Sequence, residues 1–330
     1  MKKVLVTGAA GFIGSHVVRE LLDKNVEVRC LIRPGENISN IQGLDVEIME
    51  GDVLDIAAVW RAVQDVDTVF HLAAVFSIWM KDWSRIYEVN LQGSRNILWA
   101  SLRAGTARVV YTSSIAAIGI APGTMVSNEQ TPFNQYTLGN HYVLTKYLSQ
   151  QEALSFAANG LDLVVVNPCF PFGPNDIMPT PTGQIIVDIL KGLSRMYFKG
   201  GINIVDVRDV AKGHVLAALK GKPGNLYILG SRNISTGEFM RLVCREAGFE
   251  ERRLFRLPLP AMKAGTALLK LVSDYVTDKP PMSTPPEIRY ASQYLYFDNT
   301  KARQELEMEF RPVEDSVRDS IRWFREHGYA

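Results

Sequence analysis

Short apolar runs and segments of helical periodicity alternate along the first 170 residues. Val4-Leu5-Val6 ends in Thr7-Gly8, and apolar positions then recur at helical spacing from Phe12 to Leu22. Further strands are read at Glu27 to Ile32, Val46 to Met49 and Val66 to Leu72. A helix from about Trp83 to Ala104 leads to the strand Val109-Val110-Tyr111, which ends in Thr112-Ser113-Ser114. A second long helix, about His141 to Asn159, leads to Leu163-Val164-Val165-Val166. Strands that are apolar throughout, separated by helices, belong to a parallel sheet covered on both faces. The expected fold is α/β, a doubly wound parallel sheet.

After Asn167-Pro168 the chain turns richer in Pro, Gly and Thr, with a loop at Pro179 to Gly183 and a helix at Gln184 to Leu193. Ile202 to Val207 and Leu226 to Leu229 still resemble strands of the main sheet. This divides the chain into a nucleotide-binding domain of residues 1–167 plus 202–230 and a smaller, discontinuous substrate cap of residues 168–201 plus 231–330.

Charge and composition narrow the partners. The 330 residues carry 36 Lys+Arg and 35 Asp+Glu, so neither a nucleic-acid surface nor an anionic-membrane surface is expected from charge, and the partner is a small molecule. Cys30, Cys169 and Cys244 are too few and too scattered for a disulfide framework or a metal site, which points to a reducing cytoplasm and no metal. Met1-Lys2-Lys3 and the apolar run after it imitate a secretory signal, but Gly8, Gly11 and Gly14 interrupt the run. Leu257 to Val276 contains two prolines, two lysines and Asp274, too polar for a membrane span and suited to an amphipathic helix or a lid over an apolar site. No stable membrane insertion is expected.

Gly8-x-x-Gly11-x-x-Gly14 lies between the first strand and the first helix. Glycines there let the backbone approach a dinucleotide pyrophosphate, while the helix N-terminus offers N–H groups and partial positive charge. Three glycines in six steps also serve as turn punctuation, and the spacing departs from G-x-G-x-x-G; the strand-turn-helix context favours dinucleotide binding. The second strand ends Arg29-Cys30-Leu31-Ile32-Arg33, with no acid to take a ribose 2′-hydroxyl. Arg33 at that point suits a 2′-phosphate, so NADP(H) is favoured, with NAD(H) as the alternative.

Tyr142-x-x-x-Lys146 places a phenol and an ammonium on one helix face. Tyr275 and Lys279 repeat the spacing, but Pro280-Pro281 argues against a continuing helix there. Tyr142 follows a strand whose carboxyl end bears Thr112-Ser113-Ser114, where open α/β sheets bind ligands. A neighbouring ammonium and an oxidised nicotinamide would draw the phenol below its usual value of about 10 and make it an acid or base near neutrality.

Thr7-Gly8-x-x-Gly11-x-x-Gly14, Gly51-Asp52, His71-Leu72-Ala73-Ala74, Val89-Asn90-x-x-Gly93, Thr112-Ser113-Ser114, Tyr142-x-x-x-Lys146 and Asn167-Pro168 occur in order. Together they resemble the extended short-chain dehydrogenases/reductases across essentially the whole chain, with a Rossmann domain and a cap. Among the branches, the chain looks most like the dihydroflavonol 4-reductase-like and 3β-hydroxysteroid dehydrogenase-like proteins. Pro179 to Asp188 and Gly201 to Val207 are similar to bacterial proteins named hopanoid-associated sugar epimerases, a label that does not itself imply epimerisation. The resemblance implies Tyr142 as acid/base, Lys146 on the nicotinamide ribose and Ser114 on the reacting oxygen, with Ser113 as the fallback. It also implies that Gly8, Gly11, Phe12, Ile13 and Gly14 line the cofactor, that Asp52 and Val53 approach the adenine, and that Ala73 and Pro168 flank the nucleotide. Asn90 fits a structural hydrogen bond as well as a catalytic role. A homodimer through the helices near 84–104 and 141–159 is implied too.

Where the family's nucleotide-sugar epimerases carry an asparagine and an arginine for the diphosphate, this chain has Phe170 and Ile202. Phe76, Trp79, Met80 and Trp83 after the fourth strand, with Phe170, Phe172 and Met178 opposite, suit a bulky hydrophobic carbonyl or alcohol. Cys169 and His141 are assigned to packing. The expected activity is NADP(H)-dependent hydride transfer to or from such a substrate. The alternatives are an NAD-dependent nucleotide-sugar 4-epimerase or dehydratase, and a cofactor-sensing protein without catalysis, against which the Ser-Tyr-Lys set argues.

Overall fold

The computed structural model describes residues 1–77, 79–193, 196–249, 254–277, 281 and 283–330. Seven parallel strands form the main sheet: β1 (Lys3–Thr7), β2 (Glu27–Ile32), β3 (Glu47–Glu50), β4 (Thr68–His71), β5 (Arg108–Thr112), β6 (Leu163–Pro168) and, after three strands that lie elsewhere, Leu226–Leu229. β1 lies between β2 and β4, so the strand order reverses beside it and opens a crevice at the carboxyl ends. Successive residues of β1 and β6 point to opposite faces. Val4, Val6, Val164 and Val166 pack on one side; Leu5, Leu163 and Val165 pack on the other. Each face therefore needs its own apolar cover, which is why both faces carry helices.

One face is covered by α1 (Phe12–Leu22), through Val17, Val18 and Leu21. The other is covered by α2 (Ile56–Ala62) and by the segment 84–104, read from sequence as one helix. It forms α3 (Ser84–Tyr87), a π-helical stretch over Glu88–Gly93, and α4 (Ser94–Ala104). Beside it runs α5 (His141–Ala158), with Asn140 Oδ1 accepting the Val143 N–H at 3.1 Å as its N-cap.

The cap begins where β6 ends. β7 (Phe170–Phe172), β9 (Gly201–Asp206) and β11 (Arg232–Ser235) make a separate three-stranded sheet in the order β11-β9-β7. This corrects the expectation for Ile202 to Val207: only Leu226–Leu229, now β10, joins the main sheet, beside β6. An apolar run reports burial, not which sheet receives it. Helix α6 spans Pro181–Leu190 and starts three residues earlier than read, because Pro181 sits at its first position and Thr180 Oγ1 caps the Gly183 N–H.

Strand β8 (Met196–Tyr197) pairs with β12 (Phe255–Arg256). Helices α7 (Val207–Lys220), α8 (Thr236–Glu246), α9 (Leu259–Val272), α10 (Pro285–Ala291), α11 (Thr300–Glu305) and α12 (Val313–Glu326) complete the chain. α7 packs on the main sheet beside α1, and α6, α8 and α12 build the cap core around Phe172, Phe239 and Phe324. Arg208 at the start of α7 bonds Asp206 at 2.7 Å and Asp319 of α12 at 2.8 Å, tying the cap to the main domain. Among the described residues no helix is long and apolar enough to cross a membrane, and no cluster of His, Cys, Asp and Glu has metal-ligand geometry.

Candidate active site

The glycine loop is built for close approach. Gly8 has φ of +67°, and a Cβ there would lie 2.8 Å from the Ala73 backbone N. A Cβ on Gly14 would lie 2.0 Å from the Gly8 carbonyl oxygen. Helix α1 starts directly after Gly11 with no side-chain cap and no acid in its first turn, so its N–H groups and partial positive charge remain available to a pyrophosphate. Phe12 and Ile13 form that first turn. The residues present thus fit a dinucleotide.

The β4 end of the crevice is fixed by a closed set of hydrogen bonds. Thr7 Oγ1 accepts the Leu72 and Ala73 N–H groups, each at 3.2 Å, and stands 2.7 Å from His71 Nδ1. Ser94 donates its proton to the Asn90 carbonyl at 2.8 Å, so it accepts from His71 Nε2, 3.0 Å away. Nδ1 is then the acceptor for the Thr7 hydroxyl, and every partner is satisfied by a neutral ring. Burial pushes His71 down to about 3, in agreement. Ala73 is held in place by Thr7, next to the glycine loop.

Beyond β2, Arg33 is exposed, and the Glu36 side chain curls back to accept the Arg33 N–H at 3.2 Å. An acid therefore does stand at this strand end, contrary to the reading of residues 29–33, because a turn rather than the strand brings it there. Asp52 accepts the Leu54 N–H and pairs with Arg85 at 3.1 Å; Val53 is buried, with its carbonyl bound by Asn96.

Ser114, Tyr142 and Lys146 converge beyond the carboxyl end of β5. Ser114 caps a short 3-10 turn by accepting the Ala116 N–H at 3.1 Å, and its hydroxyl bonds the Tyr142 phenol. One turn along α5, the Lys146 ammonium is buried and donates to the Thr112 carbonyl at 3.2 Å. Burial pushes Tyr142 up to about 12, with the Ser114 bond acting in the opposite direction, and pushes Lys146 down to about 8. In the chain without nucleotide the phenol thus stands above its usual value, not below it, because burial outweighs every nearby favourable group. Asn167 bonds the Ser114 carbonyl at 2.8 Å and Gln150 at 2.7 Å, fixing the serine from behind. Pro168 ends β6 in a buried position. The Ser113 hydroxyl is buried without a partner.

Asn90 makes structural hydrogen bonds. Its amide clasps Val75, accepting the N–H at 2.7 Å and donating to the carbonyl at 3.0 Å, and reaches Thr145 of α5 at 3.2 Å. This holds the loop after β4 against α5 and sets Phe76 edge-on to Tyr142, 4.7 Å between ring centroids.

A cavity of about 380 Å³ lies next to Tyr142, which directly follows its lining residues Asn140 and His141. Trp79, Met80 and Trp83 line it, whereas Phe76, grouped with them from the sequence, packs on Tyr142. The lining also includes Lys270, Asp274, Thr284 and Pro286, and not Phe170, Phe172 or Met178. Phe172 is buried in the cap core against Phe239, Phe170 packs between the two domain cores, and Met178 is 71% exposed on a loop. Phe170 and Phe172 belong to β7, whose sheet carries them into the cap interior. Trp79 Nε1 donates to Asp274 Oδ1 at 2.8 Å, and Lys270 pairs with the same carboxylate, linking these lining residues.

His141 stacks on Trp83 at 4.3 Å and bonds the Tyr87 hydroxyl at 3.0 Å, so it packs as assigned and also lines the cavity. Cys169 is buried and its thiol is pushed far up by burial, which suits packing. Tyr290 of α10, half-buried in the same apolar cluster as Tyr142, gave no local signal in the sequence. Lys279 lies outside the described residues.

Residues 4–230 match the model of the NAD dependent epimerase/dehydratase family. The chain belongs to that family. It is 38% identical over 98% of its length, and 95% of the relative's, to the Synechocystis protein named "Putative dihydroflavonol 4-reductase". It is 33% identical to sterol demethylase protein B of Methylococcus capsulatus, over 98% of both chains. The crystal structure of gox2253 superposes with a TM-score of 0.88 at 36% identity, covering 100% of this chain and 99% of that one. The chain is therefore an enzyme of the NAD(P)-dependent, extended short-chain dehydrogenase/reductase type, with the Rossmann fold of the family.

Proposed function

We propose that this enzyme uses NADP(H) to interconvert a bulky, largely hydrophobic ketone or aldehyde with its alcohol. The observation that carries this reading is the meeting of the Ser114 hydroxyl, Tyr142 phenol and Lys146 ammonium against Phe76, with a cavity lined by Trp79 and Met80 reaching Asn140 and His141 just before Tyr142. The bound nicotinamide supplies or accepts the hydride. Ser114 donates a hydrogen bond to the substrate oxygen, and Tyr142 gives that oxygen its proton in reduction or removes it in oxidation. Lys146 binds the nicotinamide ribose, and its charge draws the Tyr142 proton affinity down.

Arg33 supports the 2′-phosphate preference, whereas Glu36 beside it is the feature that favours a second reading, NAD(H). Thermal unfolding with each nucleotide decides between them. Arg33→Ser should weaken NADP(H) binding by about tenfold or more and leave NAD(H) binding within about twofold, since one charge-assisted pair to phosphate is lost. Equal stabilisation of the native chain by both nucleotides removes the preference. A screen of NADPH oxidation over hydrophobic carbonyls tests the reaction. Nucleotide retained through purification with no net NADPH consumption would favour the epimerase alternative.

We also propose a cytoplasmic homodimer. Buried free cysteines support the compartment, and exposed Trp99 and Leu148 on α4 and α5 support the contact. Trp99→Asp with Leu148→Asp should sediment as a monomer, and an unchanged dimer would exclude those helices as the interface.

A further inference from the structure

Helix α9 is amphipathic in the reverse sense for a helix packed on a protein in water. Its inner face carries the polar groups: Thr266 is buried, with its hydroxyl bonded to the Met262 carbonyl at 2.9 Å, and Lys270 is half-buried. Ser273, just past its end, is also buried. Its outer face is apolar, with Leu268 63%, Leu269 42% and Leu271 54% exposed between exposed alanines, and Tyr275 82% exposed just beyond. The two-stranded sheet leading into the helix extends the patch through Met196 and Phe255, both more than half exposed. An exposed apolar surface of this extent marks an interaction site.

The occupant follows from charge and length. Among the described residues from 254 to 277, Arg256 and Lys263 are exposed on this side, while Lys270 and the single acid, Asp274, pair with each other at the cavity. The surface is thus cationic as well as greasy, the complement of an anionic lipid headgroup layer over acyl chains. Fourteen residues rise roughly 21 Å, too short to cross a bilayer and sufficient to lie along it. Lys270 and Asp274 at the end of this helix also line the cavity beside Tyr142.

We infer that α9, with Met196 and Phe255, docks on the surface of an anionic phospholipid bilayer and places the cavity at the acyl boundary. Entry of a lipid-dissolved carbonyl substrate from that boundary rests on the proposed function; the docking does not.

Co-sedimentation of the full chain with phosphatidylcholine vesicles, with and without phosphatidylglycerol, tests the docking. The native chain should bind the mixed vesicles more tightly than the neutral ones, with the difference shrinking as salt rises. Leu268→Ser with Leu271→Ser should lower partitioning by at least about tenfold. Both positions are solvent-facing, so the thermal shift given by nucleotide should stay unchanged and report an intact fold. No binding to mixed vesicles, or equal binding by the double variant, overturns the inference. So does a loss of self-association in that variant without loss of vesicle binding, which would assign the face to a second copy. The assay contains neither nucleotide nor carbonyl, so failure of the NADPH screen leaves its result standing.

Discussion

Tyr142→Phe loses about 10²- to 10⁴-fold in turnover while nucleotide affinity changes by no more than a few-fold. The substitution deletes one oxygen, which bonds Ser114, and keeps the ring that packs edge-on against Phe76. Stability should move by about 1 kcal/mol or less, the usual net worth of one hydrogen bond. The loss is therefore one of proton transfer: the substrate oxygen still meets Ser114, but nothing protonates it as the hydride arrives. The pH dependence of the native enzyme separates the two directions. Oxidation needs the phenolate and speeds up with rising pH; reduction needs the phenol and slows. With the free phenol near 12, both limbs reach the accessible range only because the Lys146 ammonium, held at the nucleotide, draws the phenol down. Single-turnover rates for wild type and variant check this, and a variant that keeps its turnover and pH profile removes Tyr142 from the chemistry.

The meeting of Ser114, Tyr142 and Lys146 was legible in the sequence because it is written locally. A strand end at Thr112, a helix start at His141 and a four-residue spacing place Ser114, Tyr142 and Lys146 without any knowledge of the cap. The glycine loop is equally local, since Gly8 and Gly14 meet across one turn. The substrate side was not local. Phe170 and Phe172 follow Pro168 and read as a continuation toward the cleft, but they pair with β9 and turn into the cap core. The residues that do share the cavity with Trp79 are Lys270, Asp274, Thr284 and Pro286, about 200 positions away, and no pattern in either segment announces the other. Glu36 was missed for a similar reason: strand periodicity stops at Ile32, and a turn returns the carboxylate to Arg33. Helix α9 was recognised as amphipathic, but periodicity does not say which face the protein covers.

Lys146→Met makes the nucleotide-free chain more stable, by about 1–2 kcal/mol at pH 7, while removing most of its activity. Burial lowers the Lys146 pKa from 10.5 to about 8, so the fold disfavours the charged form that the unfolded chain prefers. That penalty is fully present below pH 8, shrinks as pH rises from 8 to 10.5, and is gone above. The shift alone corresponds to roughly 3 kcal/mol, and the Thr112 carbonyl, which loses its donor in the variant, returns about 1 kcal/mol or more of it. Methionine matches the stem in length and keeps the space filled. Native stability should therefore rise with pH across 8 to 10.5 relative to the variant, closing the gap between them. Saturating nucleotide reverses the order, because only the native chain has an ammonium to meet the ribose and gain binding stabilisation. Chemical unfolding of both chains, with and without nucleotide, measures all four states. A nucleotide-free variant less stable than wild type would show that the buried ammonium is already satisfied by its surroundings, and that its position was not selected at the expense of the fold.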